Sequence, residues 1–146
     1  MTKFEDEIKK SGCIVYKNSG NSMMPLLREN RDLAVISEIK SPPVKYDTVL
    51  FRRENGSYVL HRIFGVRDDY YLIGGDNRCF EEKIPKTQLI GVLTAVIRDG
   101  RQINTTDGEY LEYLKKLPRR RAALKFRAAL YRPIKALKGN SGKDSK

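Results

Sequence analysis

A single histidine, no tryptophan and two cysteines in 146 residues leave little material for a metal centre or a disulfide framework. Cys13 and Cys79 stand far apart and match no metal or redox spacing, so they read as reduced structural thiols. No metal and no cofactor are expected. No run approaches the roughly 18 apolar residues that a membrane-spanning helix needs. Met1–Lys10 is charged where a secretory signal would be apolar, which predicts a cytoplasmic protein. Acidic residues are scarce in one place only. Residues 1–114 hold 17 Lys/Arg and 17 Asp/Glu, whereas 115–146 hold 12 Lys/Arg and one acid, Asp144. The formal net charge of +11 is therefore a property of the tail, which suggests a neutral body with an attachment segment.

What is present fits one ordinary domain with a single core. Phe4 to Lys10 reads as a short helix stopped at Gly12. Strand-like runs follow at Cys13–Tyr16, Leu33–Ile39, Asp47–Arg53, Tyr58–Arg67, Tyr70–Ile73 and Leu89–Arg98. Asn55-Gly56 marks a tight hairpin, and Gly74 to Lys86 reads as an irregular loop. Short strands at this spacing predict a mainly β, coiled and antiparallel sheet. The period then changes. Thr106-x-x-Glu109 has capping-box spacing, and Tyr110, Leu111, Leu114 and Leu117 follow at helical intervals. Pro118 is expected to end or kink that helix and open another, Arg119 to Tyr131. The division expected is a body over 1–105, a basic helical tail over 106–138 and a disordered end over 139–146.

Three islands supply a serine, a histidine and a carboxylate: Gly20-Asn21-Ser22-Met23-Met24-Pro25, Leu60-His61-Arg62-Ile63 and Gly75-Asp76-Asn77. A serine hydroxyl becomes a good nucleophile only when a neighbouring base takes its proton. Histidine is the natural base near neutral pH, and a carboxylate fixes its tautomer. Gly20 and Pro25 bracket Ser22 in a stretch that cannot be regular strand, which would display the hydroxyl at a turn. On the strand run, Val59, His61 and Ile63 share one face, and Leu60, Arg62 and Phe64 the other. Spacing alone does not make a triad.

The local dress of the islands resembles a known superfamily. Gly20 to Pro25 is similar to the Gly-x-Ser-Met-x-Pro nucleophile box of type I signal peptidases and LexA-type repressors, the S24/S26 serine peptidases. Asp47-Thr48-Val49-Leu50-Phe51 resembles their Gly-Asp-x-Val strand, with Tyr46 where glycine is usual. Leu60-His61-Arg62-Ile63 is similar to the segment holding the general base, Gly75-Asp76-Asn77 resembles the Gly-Asp-Asn box, and Leu89-Ile90-Gly91-Val92-Leu93 the closing strand. Five elements stand in family order over residues 13–101. The resemblance implies a signal-peptidase/LexA-like fold and a serine endopeptidase that removes a leader or signal segment from a peptide or protein. It implies Ser22 as nucleophile and His61, in a His-Arg pair, as general base, where much of the superfamily has lysine. The further acidic pair of the Ser-His branch is matched by Glu81-Glu82, so either Asp76 or Glu82 could orient His61. Gly20 stands where many bacterial members have an oxyanion-holding serine, leaving that work to backbone N–H groups and Asn21. The family's membrane anchor and DNA-binding domain are expected to be missing.

Leucines interleaved with cations over 107–138 describe a basic amphipathic helix. Such a helix suits the anionic inner surface of a membrane, where it would govern location and not catalysis. Two other readings stay open: a module of the same fold that binds peptides or partners without cutting them, and a nucleic-acid binder acting through the tail.

Overall fold

The computed structural model describes the backbone of residues 3–144 and the side chains of residues 4–130. Helix α1 (Lys3–Ser11) leads through Gly12 into β1 (Cys13–Tyr16). The sheet continues with β2 (Asp32–Ser37), β3 (Thr48–Arg52), β4 (Tyr58–Val66), β5 (Tyr70–Gly74) and β6 (Glu82–Pro85). A 3-10 turn at Lys86–Gln88 leads to β7 (Leu89–Arg98), β8 (Arg101–Asn104) and helix α2 (Gly108–Asp144).

Every strand pairing is antiparallel, in the order β1-β2-β7-β3-β4-β5-β6, with β8 folded back on β7. The protein is therefore mainly β, with a short N-terminal helix and a C-terminal helix. Apolar side chains of the strands feed two cores. Ala34, Ile36, Leu50, Leu60 and Leu93 join Ile8 of α1, Met23, and Tyr110 of α2 in the larger. Val49, Phe51, Ile63, Tyr71, Ile73 and Ile84 make the smaller. Leu60 and Ile63 thus lie in different cores, as the alternation along β4 predicts.

The structure corrects the sequence reading in four places. The stretch Gly74 to Lys86, read as irregular, contains β6, whose four residues pair with β5. A strand follows Asp99-Gly100, because the left-handed φ of both residues (52° and 76°) turns the chain straight back along β7. The helix entrance is set by Asp107, whose carbonyl accepts from Leu111 N, while Glu109 turns away to pair with Arg101 at 2.8 Å. Lastly, Pro118 does not divide the helix, and α2 runs through it. A mid-helix proline removes one hydrogen bond, but Tyr110, Leu117 and Arg121 bury their side chains on the sheet from both sides of it. Of the stretch 139–146, α2 takes in the backbone as far as Asp144, and residues 145–146 lie outside the described ones. Among the described residues no helix is long and apolar enough to cross a membrane.

Tyr46 holds a φ of 76°, a conformation that favours glycine. Its neighbours explain why the strained backbone is held there. Tyr46 N donates to Ile63 O at 2.8 Å, and its carbonyl accepts from buried Arg62 Nη1 at 2.7 Å.

Candidate active site

Ser22 sits where a short polar loop meets an apolar anchor. Gly20 takes a left-handed φ of 81°, which no regular strand adopts, so the chain turns there. Met23, Leu26 and Leu27 are buried in the larger core and pin the turn, leaving Ser22 half-buried at its top. A second segment holds the turn from the side. Asn77 N donates to Ser22 O at 2.9 Å, and Asn77 Nδ2 donates to Asn21 O at 3.1 Å. Gly75 has to be glycine here, because a Cβ would stand 2.5 Å from Ser22 O.

His61 comes from the middle of β4, opposite Val49 of β3, with Phe51 edge-on at a centroid distance of 6.3 Å. Its Nε2 lies 3.0 Å from Ser22 Oγ. The fold thus joins two side chains 39 positions apart in sequence. The other ring nitrogen, Nδ1, is buried without a hydrogen-bond partner. Burial is the main force on the imidazole and lowers its pKa to about 4, opposed by the negative charge of Glu82 and assisted by Arg53. His61 is therefore neutral at physiological pH, the state in which an imidazole can accept a proton.

Neither candidate carboxylate hydrogen-bonds to His61. Asp76 is fully buried and faces Arg62, which clasps it with two bonds, Nε to Oδ1 at 2.7 Å and Nη2 to Oδ2 at 2.9 Å. Tyr113 Oη adds a third to Oδ2 at 2.6 Å. Glu82 on β6 pairs with Arg53 at the end of β3. Through space, its negative charge still acts on His61 more strongly than that of Asp76. Glu81 turns instead to Arg121 and Lys125 of α2, at 3.5 and 3.9 Å. Asn21, assigned from sequence to the oxyanion, has its Oδ1 occupied by Arg78 Nη2 at 2.7 Å.

Several residues that build the site carry no role in the sequence reading. Among the described residues Arg62 is the largest fully buried side chain, and its Nη1 also donates to Tyr110 Oη at 3.0 Å. Burial opposes its charge, but Asp76 outweighs that and holds its pKa above the usual arginine value. Tyr113, burdened by burial and by the charge of Asp76, has its pKa raised as well. Arg121 lies with its guanidinium 3.7 Å from the Phe64 ring centroid and donates to Arg78 O and Phe80 O. The available signal was Arg62 itself. An arginine on the same strand face as Leu60 and Phe64 requires a buried carboxylate partner.

Set against known proteins, the chain finds no matching family model, no matching curated protein and no matching solved structure.

Proposed function

We propose that this protein is a serine endopeptidase of the S24/S26 type, with the signal-peptidase/LexA-like fold, that cuts a leader or signal segment from a peptide or protein. The observation that carries the reading is the 3.0 Å approach of Ser22 Oγ to His61 Nε2. In this geometry Ser22 Oγ attacks the peptide carbonyl as its proton passes to Nε2. The tetrahedral oxyanion collapses, the C–N bond breaks, and His61 returns the proton to the leaving amine. Water then adds to the acyl ester, giving a proton to His61. Ser22 leaves as the C–O bond breaks and takes that proton back. Burial keeps His61 neutral and ready to accept, while Glu82 favours the imidazolium once formed. In this arrangement Ser22 and His61 act as a dyad, with Asp76 as the buried foundation of the loop that holds Ser22.

A fluorophosphonate probe tests the reading. It should label the wild-type protein and neither Ser22→Ala nor His61→Ala, with both variants folded as judged by circular dichroism. Equal labelling of Ser22→Ala would refute it.

The unpartnered Nδ1 of His61 favours a second reading, a peptide-binding module of the same fold without turnover. That module would bind peptide and leave Ser22 unlabelled.

A further inference from the structure

Beyond its docked stretch, α2 carries a second stripe. Lys116, Arg119, Arg120, Leu124 and Arg127 fall at i, i+3, i+4, i+8 and i+11, which sets them along one helix face. They line a groove of about 500 Å³ whose other wall is Asn77. Among the described residues no acidic side chain lines it, so its four cations share the groove without an acidic neighbour there. Asn77 is also the residue that holds the nucleophile turn, through its bonds to Ser22 O and Asn21 O, and Arg120 Nη2 reaches its Oδ1 at 3.5 Å. One residue, Asn77, therefore bridges the cationic groove and the Ser22 turn.

We infer that this groove receives an acidic segment of the peptide whose scissile bond lies at Ser22, so that the helix selects substrates by charge. The inference rests on the peptidase reading for its substrate and on the groove alone for its charge. An extended peptide advances about 3.3 Å per residue, so a chain over Ser22 reaches the groove within a few positions. Exposed charge pairs are individually weak, but four acting together give about tenfold in affinity. The apolar Leu124 on the same stripe would take an aliphatic side chain between the carboxylates.

The probe is a fluorescent twelve-residue peptide carrying four Asp/Glu, compared with its Asn/Gln counterpart, on the full-length protein by anisotropy. The acidic peptide should bind about tenfold more tightly at low salt, and the difference should shrink as salt rises. The triple reversal Lys116→Glu, Arg119→Glu, Arg127→Glu should abolish the preference. It leaves Arg120 and its contact with Asn77 in place. The matching reversal Lys10→Glu, Lys17→Glu, Lys40→Glu changes net charge equally at exposed cations outside the groove and should retain the preference. Saturating acidic peptide should also slow fluorophosphonate labelling of Ser22, because its occupant lies against the nucleophile turn.

If no probe labels Ser22 the peptidase reading fails, and the anisotropy arm still decides the charge preference. Preference surviving the groove reversal, or lost equally in both reversals, overturns the inference. So does acidic-peptide binding that leaves labelling unchanged. Capture by phosphatidylserine vesicles that the groove reversal removes, with no peptide preference, would assign the stripe to a membrane surface and overturn it too.

Discussion

Tyr113 Oη donates to Asp76 Oδ2 at 2.6 Å, and Arg62 of β4 holds both oxygens of the same carboxylate. Through this contact the basic helix grips the loop that holds the Ser22 turn. Asp76 and Arg62 are both without solvent exposure, so their charges stand or fall together. Removing one partner of a buried ion pair costs about 3–5 kcal/mol, because the other charge stays behind unpaired. Asp76→Asn should lose stability on that scale in thermal or urea unfolding, and Tyr113→Phe about 2 kcal/mol for one bond to a charged group. Ser22→Ala, which touches no such pair, should unfold near the wild-type midpoint. A wild-type midpoint for Asp76→Asn, with loss of labelling alone, would return Asp76 to the role of His61's orienter.

The charges around His61 predict the acid limb of Ser22 reactivity. With its pKa lowered to about 4, the imidazole stays neutral well below pH 6. The rate of fluorophosphonate labelling should therefore hold until about pH 4 and fall below it. Glu82 favours the imidazolium and Arg53 opposes it. Glu82→Gln should move the limb to lower pH, and Arg53→Gln to higher pH. Stability follows the same sign. The unfolded chain binds this proton below about pH 6.5 and the folded chain only below about 4. Stability should fall as pH drops across that window, and His61→Gln should flatten that part of the profile.

The sheet was legible in the sequence because period-2 alternation and turn chemistry agree along most of it. Cys13–Tyr16 and Leu89–Arg98 match their strands end to end. Strand β6 escaped because Glu82-Lys83-Ile84-Pro85 has only one apolar residue facing a core and a proline at its end. The Ser22–His61 pair was legible through motif order, whereas the partner of Asp76 was not. The partner is Arg62, beside the histidine, and Tyr113 arrives from a helix that its change of period and the cations beyond it set apart as a tail. Long-range docking of that kind leaves no local period to read. Pro118 misled for a related reason, since packing on both sides of it outweighs its local cost.

Space beside Ser22 gives a sharper test than charge. A methyl at Gly75 would meet Ser22 O at 2.5 Å and Ser22 Cβ at 3.1 Å, against backbone on one side. Gly75→Ala must push the turn away and lengthen the bond from Asn77 N to Ser22 O. Overpacking of this kind costs about 1–3 kcal/mol. Ser22 labelling should drop about tenfold or more even where the variant remains folded, because Ser22 and His61 are displaced relative to each other. Gly100→Ala, with nothing within 4 Å of the added carbon but a φ of 76°, is the control. It should lose stability of similar size and keep its labelling rate. Matching losses of labelling in both would mean that general destabilisation accounts for the effect.

Cutting the helix at two points separates what its halves do. The near half is part of the body: Tyr110, Leu117 and Arg121 are all buried, and Arg121 donates to Arg78 O and Phe80 O while covering the Phe64 ring. Phe126 and Leu130, farther along, are 66% and 60% exposed, so this part of the helix leaves the sheet. Ending the chain after Leu130 removes Arg132, Lys135, Lys138, Lys143 and Lys146 but spares, among the described residues, every contact with the sheet and every groove residue. That protein should label at the wild-type rate and keep its preference for acidic peptide. Ending it after Leu117 removes Arg121 and the Lys125 contact with Glu81, so the segment from Gly74 to Glu82 loses its outer support. Amide exchange there should rise, and labelling of Ser22 should fall several-fold, although every motif residue is still present. Hydrogen exchange followed by mass spectrometry, with labelling on the same two proteins, makes the comparison. If the shorter protein labelled as fast as the longer and showed no new exchange over 74–82, the helix would be an appendage to the site and not part of its frame.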